Sequence, residues 1–268
     1  MKNTHLICID PQNDFCTREG TGGEIGKLYV EGANQDMVRL AQFIHKNSRR
    51  INQIHCTLDS HQWIHIAHPA FWINSGGQTP LPFTQITDTD ITEGIWMARN
   101  PRHQKIAKEY VDELKKNGKY NLTIWPPHCL VGTWGHSLTR EIQKALYEWE
   151  AEFNRVNFVL KGNNMFTEHY SAIIADVPDE NDPTTQLNVD LINKLSEADE
   201  IVIAGEAKSH CVANTVRDLA DILGDDRVKK MVFLEDTSSS VKGFEKEGQS
   251  FITEMVERGM SVISSTDW

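Results

Sequence analysis

The sequence predicts an α/β protein in which a parallel β-sheet carries helices on both faces. Short apolar runs typical of buried strands recur along the chain, and segments with helical apolar spacing separate them. Strands and helices that alternate in this way form βαβ units, whose strands lie parallel in one sheet. Several of the apolar runs end on a charged residue, at the edge where open parallel sheets bind their ligands.

The composition narrows the class of protein. The chain has 268 residues, of which 39% are hydrophobic and 24% charged, as in soluble globular proteins. A net charge of −11 without a Lys/Arg cluster argues against nucleic-acid binding, which needs a basic face. No apolar run approaches the ~18 residues that span a bilayer, and the N-terminus lacks the pattern of a signal peptide. Five cysteines without a CxxC pair fit a reducing compartment, so we expect a cytoplasmic protein without a membrane partner.

The first two predicted strands both end on an aspartate. Residues 5–9 lead into Asp10, which is either a carboxylate at the ligand-binding edge or a turn residue. A run of apolar residues then shares one helical face: Met37, Leu40, Ala41 and Ile44. It predicts a helix over residues 33–50, and the next strand, residues 54–58, ends on Asp59.

The segment after Asp59 is rich in histidine and predicts a metal half-site. His61, His65 and His68 lie within the ten residues that begin with Asp59. An Asp and a His two apart on an extended segment point the same way, and this ligand pair suits Zn, Fe or Mn. One strand end cannot close a metal site, so another ligand must come from elsewhere. His65 and His68 are open to three interpretations: support of the ligands, contact with substrate, or ordinary loop histidines.

The middle of the chain contains an insertion and a proline-rich turn. Residues 73–100 are rich in Gly, Pro, Thr and Asp and predict irregular structure, and residues 101–117 predict a helix. We expect this helix to be a lid, an oligomer contact or a solvated helix at the edge. The prolines of Trp125-Pro-Pro-His128 hold His128 in a rigid turn, from which it reaches Asp59 only through the fold.

The second half of the chain supplies two further charged or reactive strand ends. Residues 156–160 form a strand that ends on Lys161, and residues 201–204 form a strand that leads towards Cys211. An apolar stripe follows at helical spacing, with Ser209 as the expected N-cap. Cys211 then lies on the first helical turn, which suits a nucleophile, although a small buried residue is the alternative.

The C-terminal segments complete the sheet. Strands are predicted at residues 230–235 and 260–264, with a helix at residues 243–258 between them. The chain shows no internal repeat and no linker. We therefore predict one domain over residues 1–268, with a helical insertion at about 89–121.

Five segments, in this order along the chain, resemble the isochorismatase-like cysteine hydrolases. They are Ile9-Asp10-Pro11-Gln12-Asn13-Asp14-Phe15, Asp59-x-His61, Trp125-Pro-Pro-His128-Cys129, the strand end at Lys161, and Gly205 to Val212 with His210-Cys211. The second and third segments are similar to the metal-binding, nicotinamidase-like subgroup. The resemblance runs from about residue 5 to about residue 240. It implies a doubly wound, Rossmann-like sheet of six parallel strands.

The resemblance also implies the residues of the site. These are Asp10, Lys161 and Cys211 as a catalytic triad, Asp59, His61 and His128 as metal ligands, Phe15, Trp125 and Tyr170 around an aromatic substrate, and the N–H groups of Ala207 and Cys211 as oxyanion donors. One divalent metal is implied, zinc first, with Fe or Mn as alternatives. The family's cis peptide bond falls between Glu206 and Ala207. Similar proteins are often dimers or tetramers, so we expect a homo-oligomer.

Some residues near these motifs depart from the family pattern. Ser60 and Gln62 replace the usual Trp and Pro around His61, and Lys208-Ser209 replaces the usual Thr-Asp pair. Glu206 replaces a residue that is usually apolar. These positions belong to the pocket wall and not to the catalytic atoms, so they bear on the choice of substrate.

The expected reaction is hydrolysis of a small amide. A free thiol has a pKa of about 8.5, and we expect the helix N-terminus and the ammonium of Lys161 to lower that of Cys211. With Asp10 as general base, the thiol attacks an amide carbonyl, ammonia leaves, and water hydrolyses the thioester. The expected substrate is nicotinamide.

Two other functions stay open at this point. One is a related amidase that acts on a carbamoyl, ureido or other heteroaromatic amide, and the other is a non-catalytic binding protein on a hydrolase fold. The role of Glu168 is also open, because it could orient a metal-bound water or be a solvated carboxylate at a helix start.

Overall fold

The computed structural model describes residues 2–118 and 120–268. The strands are β1 (Thr4–Ile9), β2 (Gln53–Asp59), β3 (Trp72–Ile73), β4 (Gln85–Ile86), β5 (Met97–Ala98), β6 (Leu122–Thr123), β7 (Asn157–Lys161), β8 (Glu200–Gly205), β9 (Met231–Leu234) and β10 (Ser261–Ile263). The helices are α1 (Asn13–Cys16), α2 (Ala33–Asn47), α3 (Asp88–Thr92), α4 (Gln104–Lys116), α5 (Arg140–Glu152), α6 (Val189–Ser196), α7 (Ala213–Leu223), α8 (Asp225–Val228) and α9 (Glu245–Glu257).

Six of the strands form one parallel sheet in the order β10-β9-β8-β1-β2-β7. The chain winds outward from β1 in both directions, first to β2 and later to β8, so β1 lies at the switch point of a doubly wound sheet. Helices cover its faces, with α2 against α5 and α7 against α9. This arrangement confirms the predicted fold class, and it brings the carboxyl ends of β1, β2, β7 and β8 to one edge.

The strands at the centre of the sheet are buried on both faces. Every residue of β1 is buried, and so are residues 201–205 of β8. This explains why both segments are continuous apolar runs in the sequence and do not alternate. At the edge of the sheet, β7 instead exposes Phe158 and Leu160 and buries Val159 and Lys161.

Most predicted elements match the structure, and the differences are local. The predicted helix at residues 101–117 is α4, and two short antiparallel ribbons, β3 with β5 and β4 with β6, give the region around residues 73–100 more order than predicted. No helix in the described ranges is long and apolar enough to cross a membrane. The single-domain organisation with an insertion at about 89–121 stays a prediction.

The predicted N-cap at Ser209 is wrong. A single π-helical turn, Lys208–Val212, precedes α7 and begins directly after Ala207. The Ser209 side chain is fully buried and does not cap the helix, because its hydroxyl contacts His210 Nδ1 at 2.9 Å and accepts the Val241 N–H at 3.1 Å. Cys211 nevertheless lies on the first turn of the helical segment.

Candidate active site

Asp10, Lys161 and Cys211 come together at the carboxyl edge of the sheet. Lys161 Nζ lies 2.9 Å from Asp10 Oδ2 and 3.6 Å from Cys211 Sγ. Asp10 follows β1, Lys161 ends β7, and Cys211 follows β8, so the sheet itself assembles residues that are 50 to 201 positions apart. All three side chains are buried.

Lys161 contacts four groups of the site. Besides Asp10 and Cys211, its ammonium contacts Asp59 Oδ1 at 3.1 Å and donates to the His169 carbonyl at 3.0 Å. Burial disfavours a charged amine, but the two carboxylates outweigh it and raise the pKa of Lys161 well above its ordinary value. Lys161 therefore stays a cation.

Asp10 is held in an unusual backbone conformation with a φ of +43°, directly after β1. The Thr57 hydroxyl donates to Asp10 Oδ1 at 2.5 Å, and the Asp10 N–H donates to the same hydroxyl at 3.0 Å. Burial raises the pKa of Asp10, while Lys161 opposes the rise. Such a carboxyl can accept a proton more readily than an exposed aspartate.

The thiol of Cys211 does not have the low pKa that the sequence led us to expect. Burial raises the pKa of Cys211 well above its ordinary value, Lys161 counters it only in part, and Asp10 and Asp59 raise it further. The physical reason is that two carboxylates already neutralise the single ammonium. The resting side chain is therefore a thiol, and a base must take its proton before it can attack.

The three predicted metal ligands also meet. Asp59 Oδ2 lies 3.0 Å from His61 Nε2 and 3.3 Å from His128 Nε2. Each imidazole places Nδ1 against a backbone carbonyl, of Gly162 at 3.0 Å and of Pro126 at 2.8 Å. Nδ1 is thus the donor, and Nε2 keeps its lone pair for a metal.

The charge of Asp59 is strongly stabilised. Burial by itself raises the pKa of Asp59, but the neighbouring His61 and the ammonium of Lys161 hold it well below the ordinary value. An ionised, buried carboxylate between two imidazoles is the environment that a divalent cation requires.

His65, His68 and Glu168, whose roles the sequence did not decide, also lie at this centre. His68 offers a nitrogen within 4.8 Å of nitrogens of His61 and His128, and His65 and Glu168 form a similar group with His61. Both extra histidines are fully buried, so neither is an ordinary loop histidine. Glu168 is buried and lies outside any helix, so the interpretation as a solvated helix-start carboxylate is wrong.

Several polar atoms of this centre have no hydrogen-bond partner within the described ranges. They are His61 Nε2, both ring nitrogens of His68, and Glu168 Oε2. His68 lies near the backbone of Trp63, but this contact does not have the geometry of a hydrogen bond. Buried polar atoms are rarely left unpaired, and nitrogen and carboxylate oxygen are the ligands of zinc and related ions. The residues present therefore fit a divalent metal.

A narrow cavity joins the thiol to these ligands. Its lining includes Phe15, Trp125 and Tyr170, together with Ala207 and Cys211, as well as Asp59, His128, Glu168, His210, Leu28 and Val241. Trp125 Nε1 donates to Tyr170 Oη at 2.8 Å, which fixes two of its walls. The peptide bond between Glu206 and Ala207 is cis.

Solved structures of known proteins match this chain over almost its whole length. A yeast nicotinamidase covers 97% of the chain and 99% of its own, with a TM-score of 0.66 and 20% identity. A nicotinamidase and pyrazinamidase from Acinetobacter baumanii covers 100% and 98%, with a TM-score of 0.61 and 21% identity. A pyrazinamidase from Pyrococcus horikoshii, in complex with zinc, covers 98% and 99%, with a TM-score of 0.56 and 17% identity.

The chain has the nicotinamidase fold. The fold that the resemblance implied is thereby confirmed. No protein-family model and no curated protein sequence matches the chain.

Sequence reasoning missed two groups that the nicotinamidase-like fold brings to the site. His210 lines the cavity beside Cys211, with its ring 5.3 Å from those of Trp125 and Tyr170. Thr57 donates a hydrogen bond to Asp10. Its position near the site was predictable from the sequence, because Thr57 lies two residues before Asp59 on the same strand and so faces the same way. Nothing in the local sequence around His210 indicates its aromatic neighbours.

Proposed function

We propose that this protein is a metal-assisted cysteine amidohydrolase that releases ammonia from a small aromatic amide, nicotinamide in the first place. The observation that carries the proposal is the position of Lys161, whose ammonium contacts a base, a thiol and a carboxylate of the metal centre at once. The fold supports it, since the yeast neighbour binds nicotinaldehyde and a neighbour from L. infantum binds nicotinate.

Acylation begins with a proton transfer, because the resting thiol is protonated. Asp10 takes the proton of Cys211, and the sulfur forms a bond to the amide carbonyl carbon. The C–N bond then breaks, Asp10 returns the proton to the departing nitrogen, and ammonia leaves. The product of this step is a thioester on Cys211.

Deacylation repeats the same chemistry with water. Asp10 takes a proton from a water molecule that attacks the thioester carbonyl, the C–S bond breaks, and the thiol recovers the proton. The carboxylic acid leaves. Lys161 stays protonated throughout and stabilises the thiolate that forms before the attack and again when the C–S bond breaks.

The negative charge that develops on the carbonyl oxygen needs donors in the cavity. We assign this role to the backbone N–H groups of Ala207 and Cys211, both of which belong to residues that line it. Fixed donors of this kind are worth roughly 10²–10³ in rate for each hydrogen bond removed.

Asp59, His61 and His128 are the proposed ligands of a divalent metal, with His68 and Glu168 close enough to take part. When bound, the metal acts as a Lewis acid towards the substrate. Zinc suits this set of nitrogen and carboxylate donors, and Fe and Mn are the alternatives. Phe15, Trp125 and Tyr170 hold the aromatic ring of the substrate between this centre and Cys211.

The test is ammonia release from nicotinamide by the purified protein, before and after treatment with a strong chelator. Release that falls on chelation and returns with zinc supports the proposal. Lack of release from a protein that binds one zinc ion would contradict nicotinamide as substrate, and other small amides would then be compared. Cytoplasmic location and homo-oligomeric assembly stay predictions.

A further inference from the structure

Glu206 is a fully buried carboxyl group that the proposed mechanism does not use. It lies one residue before Ala207, at the turn that leads to Cys211. Glu206 Oε2 accepts the Ser239 N–H at 3.0 Å, whereas Oε1 has no N–H or O–H donor among residues 2–118 and 120–268. An ionised carboxylate with one hydrogen bond in a fully buried position is costly.

A second buried carboxyl group, Asp36 of helix α2, is joined to Glu206 through Ser239, which donates its N–H to Glu206 and its hydroxyl to Asp36. Asp36 already has donors of its own, because Arg39 Nη2 lies 2.5 Å from Oδ1 and Ser239 Oγ lies 2.5 Å from Oδ2. Two neighbouring buried carboxyls do not both ionise when one cation serves the pair. Glu206 accepts a single hydrogen bond, so it is the member of the pair that keeps its proton.

Ser239 links this carboxyl pair to the turn. Its N–H donates to Glu206, its hydroxyl donates to Asp36, and its carbonyl accepts the Lys208 N–H at 2.8 Å. The residues on both sides of Ala207 are thus tied to Ser239. The Glu206 N–H donates in addition to the Ile9 carbonyl at 2.8 Å, directly before Asp10.

Three titratable groups of the described residues act on Glu206. Asp36 faces it from α2, Cys16 from α1, and Lys208 from its own turn. Burial and the neighbouring Asp36 raise the pKa of Glu206 well above its ordinary value, and Lys208 opposes the rise only weakly. This raised pKa agrees with the single hydrogen bond that Glu206 accepts.

We propose that Glu206, in its protonated form, is a positioning residue that fixes the turn at Ala207 to helix α2 through Asp36 and Ser239. Ionisation of Glu206 then adds a buried negative charge behind the turn and loosens it. Where the proposal concerns rate, it rests on the function proposed above, because Ala207 is assigned there as an oxyanion donor. Where it concerns the proton on Glu206, it is independent of that function.

The proton is tested by urea unfolding between pH 5 and pH 9, with wild type compared to Glu206→Gln and Glu206→Leu. An acid whose pKa is raised by folding makes the protein less stable as pH rises above ~4.3, the value of a free glutamate. The unfolding constant of wild type, relative to either variant, should rise by up to about tenfold per pH unit until Glu206 ionises. Glu31→Gln, a change at an exposed glutamate of the same region, should show no such trend.

The positioning role is tested by steady-state rates on nicotinamide. Glu206→Leu leaves the Ser239 N–H without an acceptor, so kcat should fall about tenfold while KM changes little. Glu206→Gln keeps an acceptor and a donor, and its kcat relative to wild type should rise with pH because it cannot ionise.

The outcomes separate the proposals. If relative unfolding constants of wild type and both variants do not change with pH, Glu206 carries no proton and the inference is wrong. If the pH trend is present but Glu206→Leu has the kcat of wild type, the positioning role is wrong. If wild type releases no ammonia from nicotinamide, the function is wrong, and the urea experiment still decides the state of Glu206.

Discussion

Lys161 Nζ lies 3.1 Å from Asp59 Oδ1, so one buried ammonium contacts both the proposed triad and the proposed metal centre. The two halves of the site therefore share a charge. Any change in the charge of Asp59 acts on Lys161 and, through it, on the thiol of Cys211. We expect metal binding and thiol chemistry to be coupled through this ion pair, and five predictions follow from this arrangement and its surroundings.

Replacement of Lys161 by Met should destabilise the fold as well as abolish activity. It leaves Asp10 and Asp59 as neighbouring buried carboxylates without their cation, which costs about 3–5 kcal/mol in comparable cases. Urea unfolding at pH 7 measures the change, and Lys194→Met, at a half-exposed lysine with an exposed partner, is the matched control. A Lys161→Met protein as stable as wild type would contradict the buried ion pairs.

Cys211→Ala should stop turnover and leave ligand binding intact. Loss of the nucleophile in comparable enzymes lowers kcat by at least about 10⁴-fold. Calorimetry with nicotinate should give a Kd within about threefold of wild type, since the cavity keeps its aromatic walls. Cys56→Ala, which removes another buried cysteine, separates the loss of the thiol from a general loss of packing. Ammonia release from Cys211→Ala at a rate close to that of wild type would exclude the mechanism.

The metal content of histidine variants should rank the ligands. His61→Ala and His128→Ala each lose an imidazole whose Nε2 faces Asp59, and we expect both to purify without stoichiometric metal. His68→Ala should bind zinc about 10–100-fold more weakly, the range seen when groups that support a metal site are removed. Elemental analysis and zinc titration measure this, with the exposed His45→Ala as control. Equal affinity in His68→Ala would remove His68 from the site.

Acid should destabilise the protein through a histidine pair far from the cavity. His55 Nε2 contacts His5 Nδ1 at 3.2 Å between neighbouring strands, and burial lowers the pKa of His55 to about 3. Folding lowers this pKa, so the stability it contributes is present above ~6.5 and is lost as pH falls towards 3. The unfolding constant of wild type relative to His55→Gln should rise by up to about tenfold per pH unit in that range. A flat ratio would mean that His55 is charged in the fold.

Gly205→Ala tests the close approach of the catalytic turn to β1. Gly205 has a φ of +114°, and an added Cβ would lie 2.1 Å from the Ile9 carbonyl oxygen. Because that oxygen belongs to the backbone of a central strand, the clash cannot relax easily, and we expect a loss of at least about 3 kcal/mol. Gly77 also has a positive φ, of +80°, but open space around it, so Gly77→Ala should cost only about 1 kcal/mol. Equal losses of stability in the two variants would mean that the positive φ alone causes the destabilisation.

The sequence was most informative where strand order decides position. Asp10, Asp59 and Lys161 each follow or end an apolar run, and parallel strands deliver their ends to the same edge. Contact between these side chains was therefore predictable without knowledge of the loops. The spacing of Asp59 and His61 on one extended segment was equally direct.

The sequence was least informative where a loop depends on a distant helix. Glu168 is buried because the loop after β7 folds back under α4, where the Tyr110 hydroxyl accepts the Glu168 N–H at 3.2 Å. That contact joins residues 58 positions apart and leaves no local pattern. The raised pKa of Cys211 was missed for a related reason, because burial depends on the whole fold and outweighs the helix N-terminus and Lys161.

Lys161 lies on the outermost strand of the sheet, and this position affects how long the catalytic site stays intact. Within the described sheet β7 pairs with β2 alone, so it can fray without separating any other pair of strands. Such sub-global openings cost less than complete unfolding. We expect amide protons of β7 to exchange with solvent sooner than those of β1. We also expect catalytic activity to be lost before the rest of the molecule unfolds. The durability of the site is then set by one strand rather than by the stability of the whole protein.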